Sequence, residues 1–484
     1  MSSLASKRRL SAGLVLLLSM TVAALGHATD EKISLAEAVR QALASNLDLA
    51  AQRRALAAAR EEIGLARSTL LPQIDVGAQG QYLYEDREGN NNEEESLLLA
   101  AKLSQSLYDE ESWAGFDIQK HVYTGRVQQF AAFELEVIQT AAEAFLELER
   151  AQRVVAIQES NREITGRNLS TSRSRIAAGW SSDREILRWQ SQLAGNDADV
   201  RAAQVSALQN RFELNRARNR PPEAAAAALP ATLEEYGFVY ARDAIARSIV
   251  EPEADRRMRD FLVRVGISRS PDLAALDASI AAAQRQLSSS RRAFWVPTLA
   301  LNAGVGHMAT NTSNDDFNDT EWSVQGVLSF PLLEGGAKLA NRDQAQEALA
   351  SLRTQRRATA LTLSQSIRSA FAQASGSFET LGFTRRQVEA ARHNFELVDA
   401  SYILGVDSIL DVLDAQNQQL SAELSMVNAT YDFLEDLIAA ERQISFYAYL
   451  ESPTDAEELL NELELALGRP PAPSETTGSQ EPDN

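Results

Sequence analysis

The stretch WVPTLALNAGVGHMATNTSNDDFNDTEWSVQGVLSFPLLEGG, Trp295 to Gly336, decides the fold. Leu299, Leu301 and Ala303 alternate with their neighbours before the loop ATNTSNDDFNDT, and Trp322, Val324, Gly326, Leu328 and Phe330 alternate after it. Period two on both sides of a run of turn-forming residues predicts a β-hairpin. Each strand is about ten residues long, the length of a tilted transmembrane strand. A soluble hairpin with one wet face produces the same pattern, and periodicity alone leaves both readings open.

An earlier segment has the same plan. Ile74, Val76 and Ala78 alternate, the acidic loop YEDREGNNNEEES follows, and Leu97, Leu99, Ala101 and Leu103 alternate beyond it. The likeness spreads in both directions. LDLAAQRRALAAAR from Leu47 resembles PDLAALDASIAAAQ from Pro271, and LSQSLYDEE from Leu103 matches LSFPLLEGG from Leu328. Gly179, Ser182, Glu185, Leu187 and Gln190 match Gly405, Ser408, Asp411, Leu413 and Gln416 at a constant offset of 226. One unit is therefore duplicated. The expected domains are a first repeat over 29–220 (hairpin 73–107, helical tip near 179), a linker or side domain over 221–269, and a second repeat over 270–450 (hairpin 298–332, tip near 405). An acidic tail of partly disordered composition follows over 451–484.

Between the hairpins the period turns helical. No proline occurs from Tyr108 to Ala178, and Phe130, Phe133, Val137, Ala141, Phe145 and Leu148 recur every three or four residues. That predicts one helix of about 70 residues, on the order of 100 Å long. The segments Leu35 to Leu70 and Gly179 to Pro221 read as helices half as long. The second unit repeats this with a long helix from about Gly336 to Leu404 and shorter ones at Leu273 to Phe294 and Ser408 to about Ala448. Each unit is thus a β-hairpin mounted on a very long helical hairpin. Four strands cannot close a barrel, and open edges are not tolerated in lipid, so a membrane barrel would have to be shared between chains.

Composition excludes several classes. The net charge is −20, with no basic block beyond the N-terminus, which argues against nucleic acid as a partner. There are no cysteines, hence no disulfide, thiolate metal site or lipidated N-terminal cysteine. His121, His307 and His393 stand far apart without carboxylates at ligand spacing, and no hydrolytic, metal or phosphate-binding motif is present, so no catalysis and no cofactor are expected. Lys7, Arg8 and Arg9 precede the apolar run Leu10 to Leu25, and small residues follow. This reads as a signal peptide over 1–28, with a short N-terminal anchor as the alternative.

The second tip, YILGVDSILDVLDAQ from Tyr402 to Gln416, carries acids at Asp407, Asp411 and Asp414, spaced to stack on one helix face. Ser408 with Asp411, and Ser182 with Glu185, also fit capping boxes, which would account for Asp411 without any pore. Asp414 lies beyond the cap. Trp180 suits either an exposed contact or packing between hairpins, and Trp295 and Trp322 suit either an interfacial girdle or ordinary β packing.

On the duplication, the strand ending LSFPLLEGG and this tip, the chain resembles the TolC family of outer-membrane channels over roughly 33–220 and 270–450. The resemblance implies a homotrimer sharing a 12-stranded barrel continued by an α-helical tunnel, mainly α with a β membrane part. It further implies a location in the outer membrane extending into the periplasm. Its partners would be outer-membrane lipid, a periplasmic adaptor and an inner-membrane ABC or proton-driven transporter, for drug efflux or type I protein secretion. A soluble periplasmic coiled-coil scaffold or adaptor-like protein would share the helices but not the strands. Carried over, Asp411 and Asp414 match the constricting acids of the tunnel end and Tyr402 a gating tyrosine. Gly405 matches the tip glycine that adaptors touch, and Gly179 and Glu185 match the first repeat's glycine and acid. The chain departs from the family pattern at Asp407, where the best-known member has an arginine, at Arg184 and Arg188, where positive charge is not expected, and at SLYDEE after the first hairpin. The opposite charges suggest a latch in which Arg184 and Arg188 of one hairpin meet Asp407, Asp411 or Asp414 of a neighbour.

Overall fold

The computed structural model describes residues 32–82, 95–177, 183–229, 251–310, 318–450 and 453–467. The expected signal peptide, most of the first acidic loop, the first tip with Gly179 and Trp180, and the end of the tail lie outside these. Four strands, β2 (Gln73–Tyr82), β3 (Glu95–Tyr108), β5 (Thr298–Thr310) and β6 (Asn318–Ser329), form one antiparallel sheet in the order β2-β3-β5-β6. The second hairpin ends at Ser329, short of the expected 332, because the chain turns out of the sheet before Pro331, whose nitrogen has no hydrogen to donate.

The register sorts the strands into two chemically distinct faces. Val76 pairs with Ala101, Ala101 with Val305, and Val305 with Trp322, so these share one face with Ile74, Leu99, Leu103, Val324 and Leu328. The opposite face is mainly polar, with Gln73, Asp75, Gln79, Lys102, Ser104, Asn302, Ser323 and Gln325 beside Leu98, Met308 and Val327. Ile74, Val76, Trp322, Val324 and Leu328 are all strongly exposed in the single chain. A sheet with one apolar and one polar face, both uncovered, suits a wall between lipid and water.

Beneath the sheet run α2 (Leu47–Ser68), α3 (Glu110–Ala177), α6 (Pro271–Arg292) and α7 (Ala337–Ile403), packed in the order α2-α3-α6-α7. This is the strand order, so strands and helices build one continuous sheet-like wall. Arg285 of α6 ties it to α3 by bonding Glu110 (2.7 Å) and Asp117 (3.1 Å). At 68 and 67 residues, α3 and α7 each span about 100 Å. They fold back on α4 (Asp183–Ala217) and α8 (Ile409–Gln443), forming two long hairpins. No described helix is long and apolar enough to cross a membrane.

The segment read as a single helix over 35–70 is two: α1 (Leu35–Ser45) and α2. Asn46 breaks it. Its side-chain oxygen accepts from the Leu49 amide at 2.9 Å, capping α2, while its backbone has left the helical region (ψ 128°). The break lets α1 pack on the middle of the bundle, where β1 (Lys32–Ile33) pairs in parallel with β4 (Ala227–Ala228). Here lies the largest core, built from Leu35, Val39, Phe145, Leu146, Leu214, Phe433 and Ile438 among others. The helices α5 (Pro252–Arg269) and α9 (Pro453–Ala466) add an outer layer to it. Gly266 permits the contact: a Cβ there would stand 2.5 Å from Ile367 of α7.

Candidate functional site

The two helical hairpins meet near their tips in a second core of Leu169, Trp189, Phe395, Tyr402, Val412 and Ala415. The tip of the second hairpin is shaped by glycine. Gly405 (φ +79°) ends α7 in a Schellman motif, in which its amide donates to the Tyr402 carbonyl (2.9 Å) and the Val406 amide to the Ser401 carbonyl (2.9 Å). The chain then reverses and α8 begins at a complete capping box. The Asp411 amide donates to the Ser408 hydroxyl (3.4 Å), and the Ser408 amide donates to the Asp411 carboxylate (3.0 Å).

That box shows how Asp411 is held. Asp411 is engaged in the cap, and the Ser408 hydroxyl holds its carboxyl below the usual range. Asp407 precedes the cap residue and is not on the helix at all, so the three acids do not stack as one helical face; Ser408 takes the extended backbone that starts α8. Asp414, exposed in the second turn, accepts from Gln418 (2.7 Å).

Tyr402 is the centre of the site. It is 1% exposed, and its hydroxyl donates to Glu185 of the other hairpin in a short contact. Ser172 lies 2.8 Å from the same hydroxyl, and the Trp189 indole donates to it at 3.3 Å. Burial raises the phenol's pKa, and the bond to Glu185 raises it further, so the hydroxyl keeps the proton it donates. Arg175 of α3 then closes the site from the far side. Its guanidinium lies 4.8 Å from the Tyr402 ring centre and donates to the Tyr402 carbonyl at 3.0 Å. The position where a Gly405 Cβ would stand is 3.6 Å from the same guanidinium.

Further up the hairpins the polar contacts continue in the dry interior. Gln416 donates to the Asn161 side chain (2.6 Å) and to Thr165 (2.7 Å), and Asn196 donates to Thr165 (2.8 Å). Between this cluster and Tyr402, burial raises the carboxyl of Asp399, which faces Asn168. Arg184 and Arg188 are exposed, and neither occurs in an ion pair among the described residues.

Sequence reading had named Tyr402 and Glu185 separately; the structure joins them. It had not named Arg175, Trp189 or Ser172. The available signal was the spacing of Glu185 and Trp189, four apart on one face of α4, opposite Ser172 and Arg175 on α3. Among the described residues no cluster of potential ligands could hold a metal ion.

A single-layer wall of strands and long helices, with its hairpin tips cross-bonded, is the architecture of an export duct. The family profile described as Outer membrane efflux protein matches residues 38–220 and 262–442, and the chain belongs to that family. It is 27% identical to outer membrane protein TolC of Vibrio cholerae, over 85% of this chain and 90% of that one. It is 25% identical to the pyoverdine export outer membrane protein OpmQ of Pseudomonas aeruginosa, over 80% and 79% respectively. Among solved structures, the outer-membrane channel OprN superposes with a TM-score of 0.67 at 20% identity, covering 86% of this chain and 91% of that one. The MtrE channel of Neisseria gonorrhoeae gives 0.65 at 19% identity, over 86% and 89%. The protein is thus an outer-membrane exit duct of the tripartite export class.

Proposed function

We propose that three copies close into a ring and form a passive duct, sealed at the periplasmic hairpin tips and opened when an adaptor and an inner-membrane transporter engage them. The duct carries out no chemistry itself. Tyr402 carries this reading. A buried hydroxyl that bonds an acid on the other hairpin holds α7/α8 against α3/α4, and separating the hairpins requires that bond to break. Gly405 and Val406 at the second tip, and Gly179 and Trp180 at the first, are the adaptor's points of contact; Val406 and Leu404 are strongly exposed there.

Asp414 and Asp411 form the constriction when repeated around the axis. A ring of carboxylates in a water-filled pore repels itself less than a dry one and favours cations. Between protomers, Arg184 and Arg188 latch to Asp407, Asp411 or Asp414 of a neighbouring hairpin. An exposed pair is worth only about 0–1 kcal/mol, so the latch works as a network. Single-channel recording in planar bilayers tests both ideas. Charge reversal of Arg184 and Arg188 should raise the closed-state conductance, and Asp414→Asn should lower cation selectivity. Unchanged conductance and selectivity in all three would overturn the gate. The cargo, a secreted protein or a small toxic molecule, is set by the transporter.

A further inference from the structure

Between α6 and α7, immediately beneath the sheet, lies an open groove of about 630 Å³. Three arginines line it, Arg291, Arg292 and Arg353, and no carboxylate does. In a chain with 67 acids against 47 bases this is a pronounced local excess. Arg292 is turned partly toward Glu110, at 3.4 Å, whereas Arg291 and Arg353 are exposed and occur in no ion pair among the described residues. Leu287 and Leu349 form an apolar floor, and Trp295, 83% exposed, stands at the upper end.

The groove's height is fixed by the chain. Thr298, the first residue of β5, is three positions beyond Trp295, which is at most about 10 Å of backbone. Leu299, the next residue, already belongs to the apolar face of the sheet. Trp295 and Arg291 therefore sit at the level of the lipid headgroups that border the hydrocarbon core. The helices run in opposite directions, α6 toward the sheet and α7 away from it. Helical side chains lean toward their own N-terminus, so Arg291 leans down and Arg353 up, into the same groove.

The groove also faces outward. Leu349 and Arg353 precede Leu363 and Ile367 by two heptads and so share their side of α7, and that side is the one covered by Leu262 and Val263 of α5. In the ring proposed above, on which this placement rests, a layer added to a wall one helix thick lies on the outside. Both walls of the groove belong to one protomer, so a neighbouring copy seated on the outer edges at α2 and α7 leaves it open.

We propose that this groove binds the headgroup of an anionic phospholipid from the periplasmic leaflet. Arg291 and Arg353 would hold the phosphodiester and Gln284 and Ser288 the headgroup hydroxyls, over the floor of Leu287 and Leu349, with the Trp295 indole on the side of the acyl chains. The site anchors a strongly acidic protein at a fixed depth beside an anionic leaflet.

The test is native mass spectrometry of the full-length assembly released from phosphatidylcholine nanodiscs doped with phosphatidylglycerol. Wild type should retain phosphatidylglycerol in preference to phosphatidylcholine. In the Arg291→Ala/Arg353→Ala variant retention should fall by about tenfold, while Arg385→Ala, on an exposed site far down α7, should leave it unchanged. Arg353→Gln, which keeps a long polar side chain without charge, serves as the second variant if the double one does not assemble. Equal retention by wild type and variants, or no preference for phosphatidylglycerol, overturns the site. A parallel arm adds inorganic phosphate to the phosphatidylglycerol-loaded assembly; if phosphate occupies the groove and displaces phosphatidylglycerol, the ligand is the free anion and the lipid assignment fails.

Discussion

The Tyr402 hydroxyl and the Glu185 carboxylate, 217 residues apart in sequence, form the one side-chain bond between the second tip's Tyr402 and an acid of the first hairpin. Tyr402→Phe removes the donor and keeps the ring against Trp189. Glu185, Ser172 and the Trp189 indole then lose a shared partner in a nearly dry site. A loss of about 1–3 kcal/mol of hairpin contact is expected. Single-channel recording should show a larger resting conductance, and an unaltered trace would remove Tyr402 from the gate.

Arg175 is expected to matter almost as much, for a different reason. It clamps the backbone of the turn as well as the ring of Tyr402. Arg175→Gln should weaken the site by about 2 kcal/mol, the combined scale of a charged hydrogen bond and a cation–π contact. Amide exchange over residues 402–408 should then accelerate in the assembled protein. Gly405→Ala, forced to φ +79°, should accelerate the same amides through about 1 kcal/mol of strain.

Gln416→Ala should destabilise the paired hairpins by about 1–3 kcal/mol, because Asn161 and Thr165 lose a donor where water cannot replace it. Chemical denaturation would reveal it as a lowered midpoint. Gln418→Ala, two residues on and exposed, should leave the midpoint in place.

Stability should also depend on pH through Glu441, buried near the C-terminal end of α8, where loss of hydration pushes its carboxyl from the ordinary 4.5 to about 8. Between those values the unfolded chain has released a proton that the folded chain keeps. Stability must therefore fall as pH rises, by about 1.4 kcal/mol per unit, and level off above the folded value. Glu441→Gln should flatten this slope and be the more stable protein at about pH 8, while the two forms converge near pH 4. Thermal dissociation of the oligomer across that range measures it.

On the sheet, Val324→Lys places a charge in lipid near the middle of β6 and should cost about 2–4 kcal/mol per chain, whereas Gln325→Lys, one residue on, points to water and should be tolerated. The yield of heat-resistant oligomer in the membrane fraction separates the two. Equal yields would mean that the assigned faces are wrong.

Much of the fold was legible because it is periodic. Leu299, Leu301 and Ala303 announce their strand by alternation, and the unbroken heptad-like run from Phe130 to Leu148 announces a helix. Asn46 was not legible as a break, since good helix formers flank it and its cap depends on a single side-chain oxygen. The site divided in the same way. Ser408 and Asp411 form a local box, written within four residues, and could be read. Arg175 and Trp189 meet Tyr402 from more than 200 residues away, and the one local trace of that meeting is the helix face Trp189 shares with Glu185. Glu441 looks like any other helical glutamate until the layers above it are in place.

The order of the wall has one more consequence. Its two free edges, β2 with α2 and β6 with α7, are unlike, so each copy must offer one edge to the copy on its left and the other to the copy on its right. A subunit able to accept a neighbour but not to be accepted would therefore spoil every ring it enters. With the three places of the ring proposed above and half the copies altered, only about one ring in eight would be free of it. Genetically, a lesion at a single edge of this protein should behave as dominant over the normal allele.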